Sequence, residues 1–282
     1  MRRVIYRGNI TIILICARFL CNLHVAGRSF RLQNMVAREN LRCLTGQNRQ
    51  INTAWISVRR ILLEKAATWG QNKALLEQIQ KCADELNTVV APMHVSGTPY
   101  ILAPLHTVSD IIAAMIGAKV TPGKASVVVS ARADLYNQQS RDLGGLPLSY
   151  CSIHQENKIL AGSLMSLITE VAAGQQNMII FPDISPDYTE QIEGHMEAKL
   201  SCHLFGRIAK LHNGVGRLSA IISARVVFYH LEYDQTLRIH IHPPVEAKDV
   251  AETLPNIIEA TLQKYPQDWL LWHSHSLYFI NH

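Results

Sequence analysis

The chain has 282 residues, of which 48% are hydrophobic and 17% charged. That suits a large globular domain and excludes a disordered or fibrous protein. The net charge of +5 comes without a Lys/Arg run or a basic stripe interleaved with aromatics, which excludes a dedicated nucleic-acid binder. Cys16, Cys21, Cys43, Cys82, Cys151 and Cys202 lie singly, with no CxxC pair, so reduced thiols are expected rather than a zinc ribbon or a disulfide framework.

Arg2, Arg3 and Arg7 precede an apolar stretch from Ile10 to Leu23 that Arg18 interrupts. It is shorter than the about 20 apolar residues of a full membrane span. Three readings stay open: a short anchor or interfacial helix, a secretory signal with small residues at Val25-Ala26-Gly27, or an extension upstream of a true start at Met35. Membrane association is preferred. Residues 1–35 are therefore set apart as a basic, apolar segment, and residues 36–282 as the catalytic domain.

Apolar residues at 55, 58 and 62 predict a helix over 54–64, and Leu75, Leu76, Ile79, Ala83, Leu86 and Val90 predict a second. Together they form a helical lead-in. After Gly97 the pattern changes. A buried strand is predicted over 99–103, and a helix over 110–117 closed by Gly117. A β-branched strand over 126–130 is followed by a helix over 158–173, ended by Gly174. A strand over 178–181 stops at Pro182, and a helix over 201–212 stops before Asn213-Gly214. Strands over 218–229 and 237–242 and a helix over 249–265 complete the chain. Strands alternating with helices predict an α/β fold with a largely parallel central sheet flanked by helices.

The segment Ala-Pro-Leu-His-Thr-Val-Ser-Asp follows the first strand and opens a helix. In parallel sheets that carboxyl-end turn is where ligands bind. A helix starting near His106 would put His106 and Asp110 at i and i+4, on one face. Asp110 would then hold one imidazole nitrogen, leaving the other to take a proton from an attacking hydroxyl. The helix N terminus would help stabilise the oxyanion of acyl transfer. A helix-capping cluster with a structural histidine is the alternative.

Other residues carry less. His240 and His242 alternate along a strand and face one side, with no third ligand at suitable spacing, so no metal site is expected. Ser163 and Cys151 lack a nucleophile elbow, and neither a Walker loop nor a dinucleotide-binding glycine pattern occurs. Arg141 precedes Leu-Gly-Gly as a second candidate anion contact.

Several blocks, in order, resemble the lysophospholipid acyltransferase superfamily, in particular its bacterial lipid A biosynthesis (lauroyl/myristoyl) branch. They are Arg38-Glu-Asn-Leu41, Pro104-Leu-His106, Val127-Val-Val-Ser-Ala-Arg132, Gln176-Asn-Met-Ile-Ile-Phe-Pro-Asp183, His203-Leu-Phe-Gly-Arg-Ile-Ala209, Leu237 to Glu246, and Pro266-Gln-Asp-Trp-Leu-Leu-Trp-His273. The spacing between His106 and Asp110 is one residue shorter than the family's usual motif, and Cys151-Ser-Ile-His-Gln-Glu156 replaces the family's isoleucine-aspartate-arginine block. Ile184-Ser-Pro-Asp187 stands where a glycine-rich phosphate turn occurs in other members.

The resemblance implies direct acyl transfer without an acyl-enzyme, a metal or a cofactor. His106 is the implied base and Asp110 its partner. Arg132 contacts an anionic group, and Phe181, Pro182 and Asp183 line the acceptor site. The donor is an acyl-carrier-protein or acyl-CoA thioester, and the implied location is the cytoplasmic face of a bacterial inner membrane, peripheral or held by one N-terminal anchor. Three functions compete. One is transfer to a hydroxyl or amine of a lipid-like acceptor. Another is the same chemistry on a peptide, sugar or secondary metabolite. The last is a membrane-associated binding protein without activity. Condensation-type acyltransferases also carry His-x3-Asp, but in much longer chains.

Overall fold

The computed structural model describes residues 8–129, 148–152, 157–184 and 199–273. Its centre is a six-stranded sheet in the order β3-β2-β4-β1-β7-β8. The strands are β1 (Tyr100–Pro104), β2 (Ala125–Val129), β3 (Leu148–Ser152), β4 (Asn177–Ile180), β7 (Arg225–Asp234) and β8 (Thr236–Ile241). All neighbours run parallel except β8, which pairs antiparallel with β7 at one edge. The fold is α/β, with a mostly parallel sheet flanked by helices.

Alternation along the central strands explains why both faces are covered. Tyr100 and Leu102 of β1 and Val227, Tyr229 and Leu231 of β7 point into one core. Ile101, Ala103, Val226 and Phe228 point into the other. The first core is closed by α1 (Ile10–Asn22), α3 (Thr53–Ala67), α4 (Lys73–Val95) and α5 (Asp110–Lys119). The second is closed by α2 (Asn34–Thr45), α6 (Asn157–Ala172), α7 (Gly214–Ile222), α8 (Val250–Lys264) and the segment around Trp269 and Trp272. The apolar N-terminal stretch is thus a helix that buries Ile10, Leu14 and Cys21 against the domain. No helix among the described residues is long and apolar enough to cross a membrane.

Local expectations fail in three places, each for a physical reason. Residues 201–212 are not helical. They form a hairpin of β5 (Lys199–Leu204) and β6 (Arg207–His212). Phe205 and Gly206 join the strands with φ of 52° and 72°, the positive values that a two-residue hairpin turn demands. Residues 218–222 belong to α7, where Val215, Ser219 and Ile222 are buried at helical spacing, and the strand starts only at Arg225. Gly117 does not end α5, which runs on to Lys119. A Cβ there would stand 2.8 Å from Ile179 Cδ1 and 3.1 Å from Tyr229 Oη; the glycine lets α5 lie close to the sheet.

Candidate active site

The carboxyl end of β1 leads into a loop in which every residue from 105 to 109 is tied down. Leu105 N–H donates to Tyr229 O at 2.9 Å, and His106 O accepts from Leu270 N at 2.8 Å. Thr107 bridges Trp269 and takes the Leu231 N–H on its hydroxyl at 2.8 Å. Val108 N–H donates to Asp268 O at 2.8 Å. Val108 sits at φ 58°, a left-handed conformation that a β-branched residue adopts only under constraint. Ser109 is extended and caps α5 through the Ile112 N–H at 3.1 Å.

This geometry decides His106's partner. Helix α5 begins at Asp110, so His106 lies ahead of the cap and the two residues are not on successive helical turns. Across the switch point of the sheet, where β4 returns to lie between β2 and β1, the chain leaves β4 as Phe181-Pro182-Asp183. Asp183 Oδ1 lies 2.8 Å from His106 Nδ1, and Oδ2 accepts the His106 backbone N–H at 2.9 Å and the Trp269 indole N–H at 2.8 Å. The Asp183 side chain is fully buried, whereas His106 keeps part of its ring accessible. Nδ1 facing a carboxylate carries the proton, so Nε2 carries the lone pair. Among the described residues no hydrogen bond engages Nε2.

Asp110 lies elsewhere in the same site. Its carboxylate is 2.7 Å from Arg60 Nη2, and Arg60 Nε donates to Glu64 at 2.8 Å. Ser109 donates to the same Glu64 oxygen at 3.0 Å. Burial pushes the Glu64 carboxyl above its ordinary range; the Arg60 charge opposes that, and the negative Asp110 adds to it. The expected His106–Asp110 hydrogen bond is therefore replaced by His106–Asp183, while Asp110, at the start of α5, belongs to an acid–arginine cluster with Arg60 and Glu64 of α3.

Both residues line a cleft at the carboxyl ends of β1, β2 and β4. Its remaining walls are Ile111 and Ala114 of α5, Val127–Val129 of β2, Tyr150, Phe181 and Ile184. Among the described residues the lining is apolar apart from His106, Asp110 and the Tyr150 hydroxyl. The Phe181 ring packs on the His106 ring with centroids 4.5 Å apart. Pro182 is buried and takes no part in the lining. Arg132 and Arg141 lie outside the described residues.

The loop is backed by groups that spacing alone did not single out. Arg59 of α3 pairs with Asp268 at 2.6 Å and donates to Gln267 O at 3.0 Å, with both side chains buried. Burial raises the Asp268 carboxyl and Arg59 counteracts it. Asn40 of α2 donates to Trp272 O at 2.9 Å. The segments containing Asn40, His106, Asp183 and Trp269, far apart in the chain, meet here.

Two further groups of side chains, histidines and cysteines, bear on reactivity. His240 and His242 do share one side of β8 and its exit, and His230 of β7 packs against both with ring centroids 4.9 and 5.6 Å away. Burial, then the neighbouring His240, His242 and Lys264, push His230 down to about 3, and burial and His240 push His242 down to about 4. No group of His, Cys, Asp or Glu among the described residues is arranged to hold a metal ion. All six cysteines are free thiols. Burial raises Cys151 above its ordinary value, which opposes thiolate chemistry.

Comparison with known proteins gives no match, neither to a protein-family model nor to a curated sequence.

Proposed function

We propose that the protein is an acyltransferase that moves a fatty acyl group from an acyl-carrier-protein or acyl-CoA thioester to a hydroxyl or amine of a lipid-like acceptor. The observation that carries this reading is His106, with Nδ1 held by the buried Asp183 and its ring at the wall of an apolar cleft. A carboxylate-oriented imidazole beside an apolar groove is the equipment for deprotonating a hydroxyl next to an acyl chain. The ordered likeness to the lysophospholipid acyltransferases supports the same chemistry.

In this mechanism His106 Nε2 takes the proton from the acceptor hydroxyl or amine as that group attacks the thioester carbonyl. The tetrahedral intermediate then collapses, the C–S bond breaks, and the imidazolium returns its proton to the departing sulfur. Asp183 keeps the proton on Nδ1 and stabilises the imidazolium. Asp110, paired with Arg60, stands at the cleft and acts on the substrate's polar end, and the walls of β2 and α5 receive the acyl chain. No metal or cofactor enters these steps.

The test is mass spectrometry of lipids and small products from cells with and without the gene. The reading expects loss of one acylated product and accumulation of its unacylated precursor. Identical acylation profiles, with the protein shown to be expressed, would count against it.

A further inference from the structure

A second pocket, of about 240 Å3, lies at the end of the sheet opposite the cleft. It opens where β1 and β4 begin, between the last turns of α4 and α6 and the loop after α5. The five residues of β1 separate its Tyr100 wall from the His106 loop, about 15 Å of extended chain.

Its polar groups are buried and held in one orientation. Gln176 and Asn177 both line it and are 6% and 1% exposed. Ser126 Oγ donates to Gln176 Oε1 at 3.1 Å, which leaves the NH2 as the free end of that amide. Asn177 Nδ2 donates to the carbonyls of Gly117, Val120 and Thr121 at 3.2, 3.2 and 3.1 Å, which leaves Oδ1 free. Among the described residues neither Gln176 Nε2 nor Asn177 Oδ1 has a hydrogen-bond partner, and neither is sealed in the interior. Consecutive residues thus present a fixed donor and a fixed acceptor to the pocket. Such buried groups are costly until a ligand or water completes them.

The other walls limit what fits. Pro99, Pro122 and Val171 are apolar, and His94 adds an imidazole that makes no hydrogen bond among the described residues. Gly174, at φ 67°, lies under that ring; a Cβ there would stand 3.4 Å from His94 Cε1. No Asp, Glu, Lys or Arg among the described residues lines the pocket, so a charged ligand would be desolvated without a counter-ion. The matching ligand is neutral, small, and carries an acceptor beside a donor on one edge. Nucleobases have that edge, and Asn and Gln amides pair with it.

We infer that this pocket binds a nucleobase, free or as a nucleoside. Gln176 Nε2 donates to a ring nitrogen or carbonyl of the base, and Asn177 Oδ1 accepts from the adjoining N–H. A nucleotide does not fit, because no cation there meets its phosphate. The inference is independent of the acyl-transfer reading, since binding is measured without a thioester or an acceptor.

The experiment is isothermal titration of the full chain with adenine, adenosine, uracil, uridine and AMP. Each base is compared with an analogue that lacks the N–H of its edge, purine for adenine and N3-methyluracil for uracil. Nitrogen-15 NMR follows the His94 imidazole, assigned through His94→Ala. Saturable binding of a base or its nucleoside is expected, with a shift of the His94 resonance and weaker binding of AMP than of adenosine. The analogue is expected to bind about tenfold more weakly or worse, and Gln176→Met to lower affinity about tenfold or more. The ligand series needs no variant, so a poorly folding Gln176→Met protein leaves the test intact. Absence of saturable binding by every base and nucleoside at millimolar concentration would overturn the inference. So would equal affinity for a base and its analogue, tighter binding of AMP than of adenosine, or binding that leaves His94 unmoved.

Discussion

Replacing Asp183 by Asn separates the orientation of His106 from its presence. The carboxylate accepts three N–H groups, from the His106 backbone, His106 Nδ1 and Trp269 Nε1. An asparagine whose oxygen stays with the backbone and indole donors must present its NH2 to Nδ1. That nitrogen then has to accept, the proton moves to Nε2, and the base is lost. All three hydrogen bonds persist, one of them reversed, but each loses its charged acceptor, so the expected loss of stability is about 1.5–3 kcal/mol. Catalysis is expected to fall roughly 10³–10⁴-fold, as for other carboxylate-to-amide changes behind a catalytic histidine. Nitrogen-15 NMR of the imidazole reads the tautomer directly, and thioester-dependent turnover reads the rate. A wild-type ring already protonated on Nε2 at neutral pH would refute the reasoning. So would an Asp183→Asn protein that keeps full activity while Asp110→Asn abolishes it.

Two other perturbations follow from the burial of charge. Arg59→Ala leaves Asp268 buried without its cation and is expected to cost about 3–5 kcal/mol in urea unfolding; because burial already raises the Asp268 carboxyl, the deficit should shrink as pH falls. Arg59→Met with Asp268→Leu should recover much of it, and a double variant as unstable as the single one would argue against an ion-pair origin. For His230 the folded group is held down to about 3 from its ordinary 6.5, so below pH 6.5 the unfolded chain takes up a proton that the folded chain refuses. Its contribution is to weaken the fold as pH drops from 6.5 towards 3, by up to about 1.4 kcal/mol per pH unit, and His230→Gln should flatten that slope in denaturation at pH 7.5, 6.0 and 5.0. Parallel slopes for the two proteins would refute the buried-imidazole account.

The elements that sequence reading located best are those whose neighbours are local. Strand β1 after Gly97, strand β2 with its valines and helix α6, followed two residues past its end by Gly174, announce themselves by β-branching, spacing and a glycine of positive φ. Strand β3 is not legible because Leu-Ser-Tyr-Cys-Ser is short and, at the edge of the sheet, holds no β-branched residue. The β5–β6 hairpin was missed because its turn rests on Phe205 in a left-handed conformation that residue type does not advertise. The same division runs through the site. His106 was legible from its place at a strand-to-helix turn, and Phe181 from its place after β4. Asp110 drew attention as His106's partner because it is close in sequence. Asp183 is 77 residues away, and only the sheet order, which puts β4 beside β1, makes it a neighbour. Trp269 and Asp268 stood in a recognisable C-terminal block, but their roles depend on that block folding back over the His106 loop.

The central claim is that His106 is the base of an acyl transfer, and single-turnover kinetics with purified protein test it most directly. Acyl-carrier-protein and acyl-CoA thioesters serve as donors, free thiol is followed in time, and the acylated product is identified by mass spectrometry. Thiol release should depend on an acceptor, yield an ester or amide, and fall by about 10³-fold or more in His106→Ala. A His106→Ala protein that transfers the acyl group at the wild-type rate would contradict it.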